Sequence, residues 1–132
     1  MKTLIADDDE SSRRLLQNIL SPYGECVLTE SSSKAVELFK HSYEQRQPFQ
    51  LVCLDIMMPD IDGQAALAMM RDFEKDHNVS QNDKTIIIMI TALNSMQTVV
   101  SSFEDGGCNA YLTKPITRRS LINKIKKYGL ID

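Results

Sequence analysis

LVCLDIMMPDIDG, residues 51–63, carries the plainest structural signal in the chain. Its first four residues, Leu51–Leu54, are an unbroken apolar run that closes on a carboxylate, Asp55. An apolar run that does not alternate with polar residues suits a strand buried on both faces. Beyond Gly63, Ala66, Met69, Met70 and Phe73 recur at helical spacing. The segment therefore reads as a strand, a connector and a helix.

The same pattern extends outward in both directions. Apolar runs occur at Thr3–Ala6, Cys26–Thr29, Thr85–Ile90 and Ala110–Leu112. Amphipathic stripes lie between and after them. Leu15, Leu16, Ile19 and Leu20 make the first. Val36, Phe39 and Tyr43 make the second, with Ala35 and Leu38 beside it. Met96, Val99, Val100 and Phe103 give a fourth helix, and Leu121, Ile122 and Ile125 a fifth. Ser31–Ser33 and Asn94 suit N-caps, and Gly129 suits a C-cap. The connector His77–Asp83 is polar and reads as a surface loop. Strands separated by single helices run parallel with right-handed crossovers. The expectation is one (βα)5 α/β domain over residues 1–132, with helices on both faces of a five-stranded parallel sheet.

Composition narrows the function classes. The chain has 132 residues, a formal net charge of −3, 42% hydrophobic and 25% charged residues. That suits one soluble domain with its own core. The mild acidity argues against direct nucleic-acid binding, which calls for a basic stripe. Cys26, Cys53 and Cys108 lack the spacing of a zinc site or a disulfide framework. No apolar segment is long enough for a signal peptide or a membrane span, so a cytoplasmic location and no membrane insertion are expected.

In an open parallel sheet, ligands bind outside the carboxyl ends of the strands. The first run ends in Asp7-Asp8-Asp9, the third in Asp55, the fourth in Thr91-Ala92 and the fifth in Thr113-Lys114-Pro115. Converging carboxylates repel, by about 4 kcal/mol for unit charges 4 Å apart at an effective dielectric of 20. A pKa must rise or a cation must neutralise them. Oxygen ligands of this kind suit Mg²⁺, which keeps waters and accepts phosphate oxygens. Lys114 and the Thr91 hydroxyl would hold the remaining oxygens of a phosphoryl group, and Asp55 is a candidate nucleophile. Taken singly, each residue has a plainer use: Asp8 or Asp9 as a helix cap, Lys114-Pro115 as a turn.

LIADDDESSRRLL, LVCLDIMMPDIDG, IIIMITAL and AYLTKPI together resemble the receiver domains of bacterial response regulators, in order and spacing, over essentially the whole chain. The resemblance implies a flavodoxin-like, doubly wound sheet of strand order 2-1-3-4-5. It implies that Asp55 is the phosphoacceptor of a two-component or phosphorelay system. Asp7, Asp8, Asp55 and the backbone carbonyl of Met57 would hold Mg²⁺. Thr91 and Lys114 would contact the phosphoryl group, and Thr91 and Tyr111 would form the switch. Lys114–Pro115 matches the family's cis peptide. The face around the fourth helix, fifth strand and fifth helix would change shape on phosphorylation. The implied partners are a sensor histidine kinase or a histidine phosphotransfer protein, and a downstream protein target. The chain would assist its own phosphorylation and dephosphorylation and have no separate substrate. Met57 and Leu93, both apolar, occupy positions that flank the attacking water in that family, which suggests a long-lived acyl phosphate.

Competing readings are weaker. An aspartyl-nucleophile phosphatase places a second Asp two residues after the first, where this chain has Met57. An EF-hand aligned on Gly63 would need oxygen ligands at Met58 and Met69. Ser31–Ser33 as a phosphate-capturing loop lie after the second strand, away from the acidic group, and capping suits them better. His41 and His77 sit at no strand end. Nothing resembling an output domain follows Asp132, so a stand-alone receiver is expected, with a receiver fragment of a larger regulator as the alternative.

Overall fold

The structure, a computed structural model, describes residues 1–92 and 107–132. The expected fourth helix (Met96, Val99, Val100, Phe103), its cap Asn94, and Leu93 lie outside the described residues. Five strands form one parallel sheet: β1 (Thr3–Ala6), β2 (Cys26–Thr29), β3 (Leu51–Asp55), β4 (Ile86–Thr91) and β5 (Ala110–Thr113). Their order across the sheet is β2-β1-β3-β4-β5. Among the described residues four α-helices accompany them: α1 (Glu10–Leu20), α2 (Ser32–Glu44), α3 (Gly63–Asp76) and α4 (Arg118–Lys127). The connector before β4 includes a 3₁₀ turn, Gln81–Asp83.

β3 is apolar without alternation because both of its faces are covered. Val52 and Leu54 join Leu4, Phe39, Leu67 and Met70 under α2 and α3. Leu51 and Cys53 join Ile5, Leu16, Leu20, Leu121 and Ile125 under α1 and α4. Each such side chain contributes about 1.5–3 kcal/mol on burial. Two residues of the expected stripes face outward instead: Leu15 and Met69 are exposed. In α3 the buried row runs through Ala66, Leu67 and Met70, which displaces the stripe by part of a turn. Phe39, Tyr43 and Phe73 pack ring against ring where α2 meets α3.

The helix ends follow local chemistry. Ser31 caps α2, accepting from the Lys34 amide, and Asp62 caps α3 through the Ala65 amide at 2.8 Å. Asp9 occupies the N-cap of α1 without a side-chain cap hydrogen bond; its carboxylate takes the Ser12 hydroxyl instead. Lys124, Lys126 and Lys127 sit in the last turn of α4, where the helix dipole favours cations. Gly129 follows with a left-handed φ of 75°.

A polar cluster fastens the amino-terminal ends of β4 and β5. Glu74 of α3 is fully buried. It pairs with Arg71 Nη1 at 2.7 Å and accepts the Thr85 amide at 2.9 Å. Arg71 also donates to Asn109 Oδ1 and to the carbonyls of Thr85 and Gly107. Such a satisfied buried pair is costly to break from one side, by about 3–5 kcal/mol. Among the described residues no helix is long and apolar enough to cross a membrane.

Candidate functional site

Strand register assembles one sheet edge. Ala6 of β1 lies opposite Leu54 of β3, so the next residues, Asp7 and Asp55, emerge side by side. Asp55 stands opposite Ile90, one residue before Thr91. Thr91 stands opposite Thr113, one residue before Lys114. With parallel strands in even register, positions distant in sequence meet in order along the carboxyl edge.

Asp7 and Asp55 are buried and Asp8 is exposed. Ligand oxygens of all three lie within 4.8 Å of one another. The Lys114 ammonium bridges the two buried carboxylates, 3.2 Å from Asp7 Oδ2 and 3.3 Å from Asp55 Oδ2. Backbone amides satisfy the other oxygens: Asp9 N–H donates to Asp7 Oδ1 at 2.9 Å, and Met57 N–H to Asp55 Oδ1 at 3.2 Å. Burial, and then the Asp7 charge, push the Asp55 carboxyl up to about 6, against the opposing pull of Lys114. Burial alone would lower Lys114, but the carboxylates of Asp55 and Asp7 outweigh it and hold the ammonium above its ordinary range.

The site tests well as a divalent-cation site. Asp7 Oδ2 is buried and receives no well-directed hydrogen bond, although the Lys114 ammonium lies near it. One ammonium against three carboxylates leaves negative charge uncompensated. All the donors are hard oxygens, and the exposed Asp8 leaves one side open to water, as Mg²⁺ requires.

The surrounding backbone is fixed. Gly63 N–H donates to the Ile56 carbonyl at 2.8 Å, drawing α3 against the end of β3. Thr91 is buried, its hydroxyl donating to the Ala92 carbonyl at 3.1 Å, while Lys114 N–H donates to the Thr91 carbonyl at 2.8 Å. The Lys114–Pro115 peptide is cis. Tyr111 stands opposite Met89 and packs half-buried beside the α2–α3 core. Met57 is 65% exposed at the mouth of the site. A groove of about 400 Å³ leads away from Asp7 and Lys114 between Leu15, Leu16, Pro115 and Ile116.

Asp7, Asp8, Asp55 and Lys114 are thus brought together, with Thr91, Met57 and Pro115 around them and Tyr111 further down β5. Sequence reasoning missed three residues. Arg13 donates to the Asp7 carbonyl at 2.8 Å, a bond its helical spacing did not announce. Asn109 accepts the Ile87 amide and Arg71. Asp60 gathers Ser31–Ser33, while Ser31 caps α2 as its sequence position suggests.

Comparison with known proteins agrees over nearly the full length. The response regulator receiver domain family matches residues 3–126. The sensor protein GacS of Pseudomonas syringae pv. syringae is 32% identical over 128 residues, which are 96% of this chain and 13% of that protein. The peroxide stress-activated histidine kinase mak2 of Schizosaccharomyces pombe is 32% identical over 131 residues, 98% of this chain and 5% of that protein. The chain therefore spans only a small part of the length of these two relatives. Among solved structures, the receiver domain of the histidine kinase CKI1 from Arabidopsis thaliana, complexed with Mg²⁺ and BeF₃⁻, superimposes with a TM-score of 0.83. That comparison has 25% identity and covers 97% of this chain and 89% of the other.

Proposed function

This chain belongs to the response regulator receiver domain family, and from that premise we propose that it accepts a phosphoryl group on Asp55 and switches a protein-binding face. The observation that carries this reading is the buried pair Asp7 and Asp55 sharing the single ammonium of Lys114. A structural ion pair needs one carboxylate per cation. Here two buried carboxylates and the neighbouring Asp8 leave an excess of charge that a second cation would offset.

Asp7, Asp8, Asp55 and the Met57 carbonyl are the residues that would hold Mg²⁺. When bound, the ion would neutralise charge on phosphoryl oxygens and lower the repulsion between them and the carboxylates. The chain's own residues do the rest. An Asp55 carboxylate oxygen attacks phosphorus and forms the new O–P bond. The bond from phosphorus to the donor breaks, and its electron pair leaves with the donor. For a phosphohistidine donor that is a P–N bond, and the pair stays on the imidazole. Lys114 pairs with the added negative charge. The Thr91 hydroxyl, now directed at the Ala92 carbonyl, turns to a phosphoryl oxygen. Tyr111 then moves into the space left, so that two pre-existing states of the face beside β5 change population.

The donor is a sensor histidine kinase or a histidine phosphotransfer protein, and the reader is a downstream protein. A cytoplasmic site of action fits three thiols that form no disulfide. The direct test is intact mass after incubation with Mg²⁺ and acetyl phosphate. One added phosphoryl group, absent with EDTA and absent in Asp55→Asn, is the expected result. No adduct together with no binding of beryllofluoride would overturn the reading.

A further inference from the structure

Ser31, Ser32 and Ser33 stand where β2 runs into α2, and all three turn to one carboxylate of the β3–α3 loop. Asp60 Oδ1 accepts the Ser32 amide at 3.2 Å and lies 2.7 Å from the Ser32 hydroxyl. Asp60 Oδ2 accepts the Ser31 hydroxyl at 2.8 Å, the Ser33 amide at 2.9 Å, and the Ser33 hydroxyl. The Ser32 hydroxyl also reaches the Ile61 carbonyl. Asp60 thus sits on the amino-terminal end of α2, where free amides and the helix dipole favour an anion. The hydroxyls of Ser33 and Ser32, with the Ser33 amide, hold its carboxyl well below the usual range. A carboxylate on an exposed loop has water as an alternative partner. Here it has four protein donors of its own and shares a fifth, the Ser32 hydroxyl, with the Ile61 carbonyl, all from one neighbouring strand–helix junction.

The loop so tied is the one that carries the reactive end of β3. Its start is pinned by Ile56 N–H on the Ile90 carbonyl and by Met57 N–H on Asp55. Its end is pinned by Gly63 N–H on the Ile56 carbonyl and by the Asp62 cap. Between those pins, Asp60 and Ile61 carry the loop's hydrogen bonds to another element among the described residues. The Met57 carbonyl lies on the same short span, three residues from Asp60.

We propose that Asp60 is a positioning residue for the phosphoacceptor site: seated on Ser31–Ser33, it fixes the β3–α3 loop so that the Met57 carbonyl stays beside Asp55 as a cation ligand. This rests on the phosphoacceptor reading above. A carbonyl on a loose loop must be ordered each time an ion binds, and that ordering weakens affinity. Once the ion is bound, the carbonyl is in place whether or not the loop is tied. Asp60 therefore acts on the concentration of Mg²⁺ needed, and little on the rate once the site is full.

The test measures Mg²⁺ affinity by calorimetry, and phosphoryl uptake from acetyl phosphate across a Mg²⁺ series, on the full chain. Asp60→Ala is expected to raise the Mg²⁺ dissociation constant on the order of tenfold, as loss of an outer-shell support does. Uptake at saturating Mg²⁺ is expected to stay within about twofold of wild type, the pattern of lost binding without lost chemistry. Asp60→Asn keeps the shape and one acceptor oxygen, so its loss is smaller; it also decides the matter if Asp60→Ala does not fold. Thr85→Val removes a buried hydroxyl bond to the Phe49 carbonyl at the opposite sheet edge, and is expected to bind Mg²⁺ as wild type does. Unchanged affinity in both Asp60 variants overturns the inference, and so does an equal loss in Thr85→Val. A wild-type chain that neither binds Mg²⁺ nor takes up phosphoryl overturns the phosphoacceptor reading instead.

Discussion

Gly63 packs against the backbone of Asp55 so closely that a Cβ at position 63 would lie 2.4 Å from the Asp55 carbonyl oxygen and 2.7 Å from the Ile56 Cα. Both are backbone atoms, so neither can swing aside. The glycine at the end of residues 51–63 is there because α3 must start on top of the strand end that presents Asp55. Gly63→Ala is expected to lower stability by about 1–3 kcal/mol, as overpacking does. It also shifts the Asp55 carboxylate and slows uptake from acetyl phosphate. Urea unfolding and a timed mass series check both effects. Wild-type values in each would show that the loop yields without moving Asp55.

Asp55 titrates against the fold in metal-free protein. Its folded pKa of about 6 lies above the ordinary 3.8. The native state therefore binds more protons than the unfolded state between those values, and stability falls as pH rises through that window. Above about pH 6 the full penalty is present, up to about 3 kcal/mol for a net shift of this size, in which the pull of Lys114 is already counted. Asp55→Asn removes it. In EDTA the variant is expected to be more stable than wild type at pH 7.5, with the advantage shrinking toward pH 5. Unfolding curves at the two pH values decide it, and an advantage independent of pH would count against the assignment.

Met57 is expected to set how long an acyl phosphate on Asp55 lasts. Its side chain is exposed at the mouth of the site while its amide is bonded to Asp55. A thioether cannot orient an attacking water well. Met57→Asn supplies an amide that can, and one hydrogen bond of about 1 kcal/mol in the transition state corresponds to roughly fivefold faster decay. Following loss of the phosphoryl mass with time measures this directly. A variant that decays no faster than wild type removes Met57 from the mechanism.

Tyr111 is expected to relay the change and not to cause it. It lies on β5 three residues before Lys114, half-buried beside the α2–α3 core. Tyr111→Ala is expected to take up phosphoryl within about twofold of the wild-type rate, because the reacting groups are untouched. With Mg²⁺ and beryllofluoride, amide chemical shifts in wild type should change from the site into α4. In the variant the changes should stop near Asp55. Unaltered spread to α4 would show that another residue carries the signal.

Much of this was written locally. The apolar runs ending in Asp7, Asp55, Thr91 and Lys114 are legible because a strand buried on both faces needs consecutive apolar residues, and its end is where polar residues resume. Ser31 as a cap and Gly129 past the last helix follow from backbone chemistry within one turn. The outward turn of Leu15 and Met69 was not legible. A helical stripe states which residues share a side, while the width of the covered strip depends on the angle at which the helix lies on the sheet.

The alternation of strands and helices, the parallel sheet, and the carboxylates, hydroxyl and ammonium that end the strands are all legible along the chain. Those are short-range matters of periodicity and composition. The rest came only with folding. Folding set Asp7 beside Asp55 under one lysine, seated Asp60 on three serines of another strand–helix unit, and joined Arg71 of α3 to Asn109 at the start of β5. Such pairings join residues far apart in the chain, and their energies depend on distance and burial, which exist only once the strands are in register.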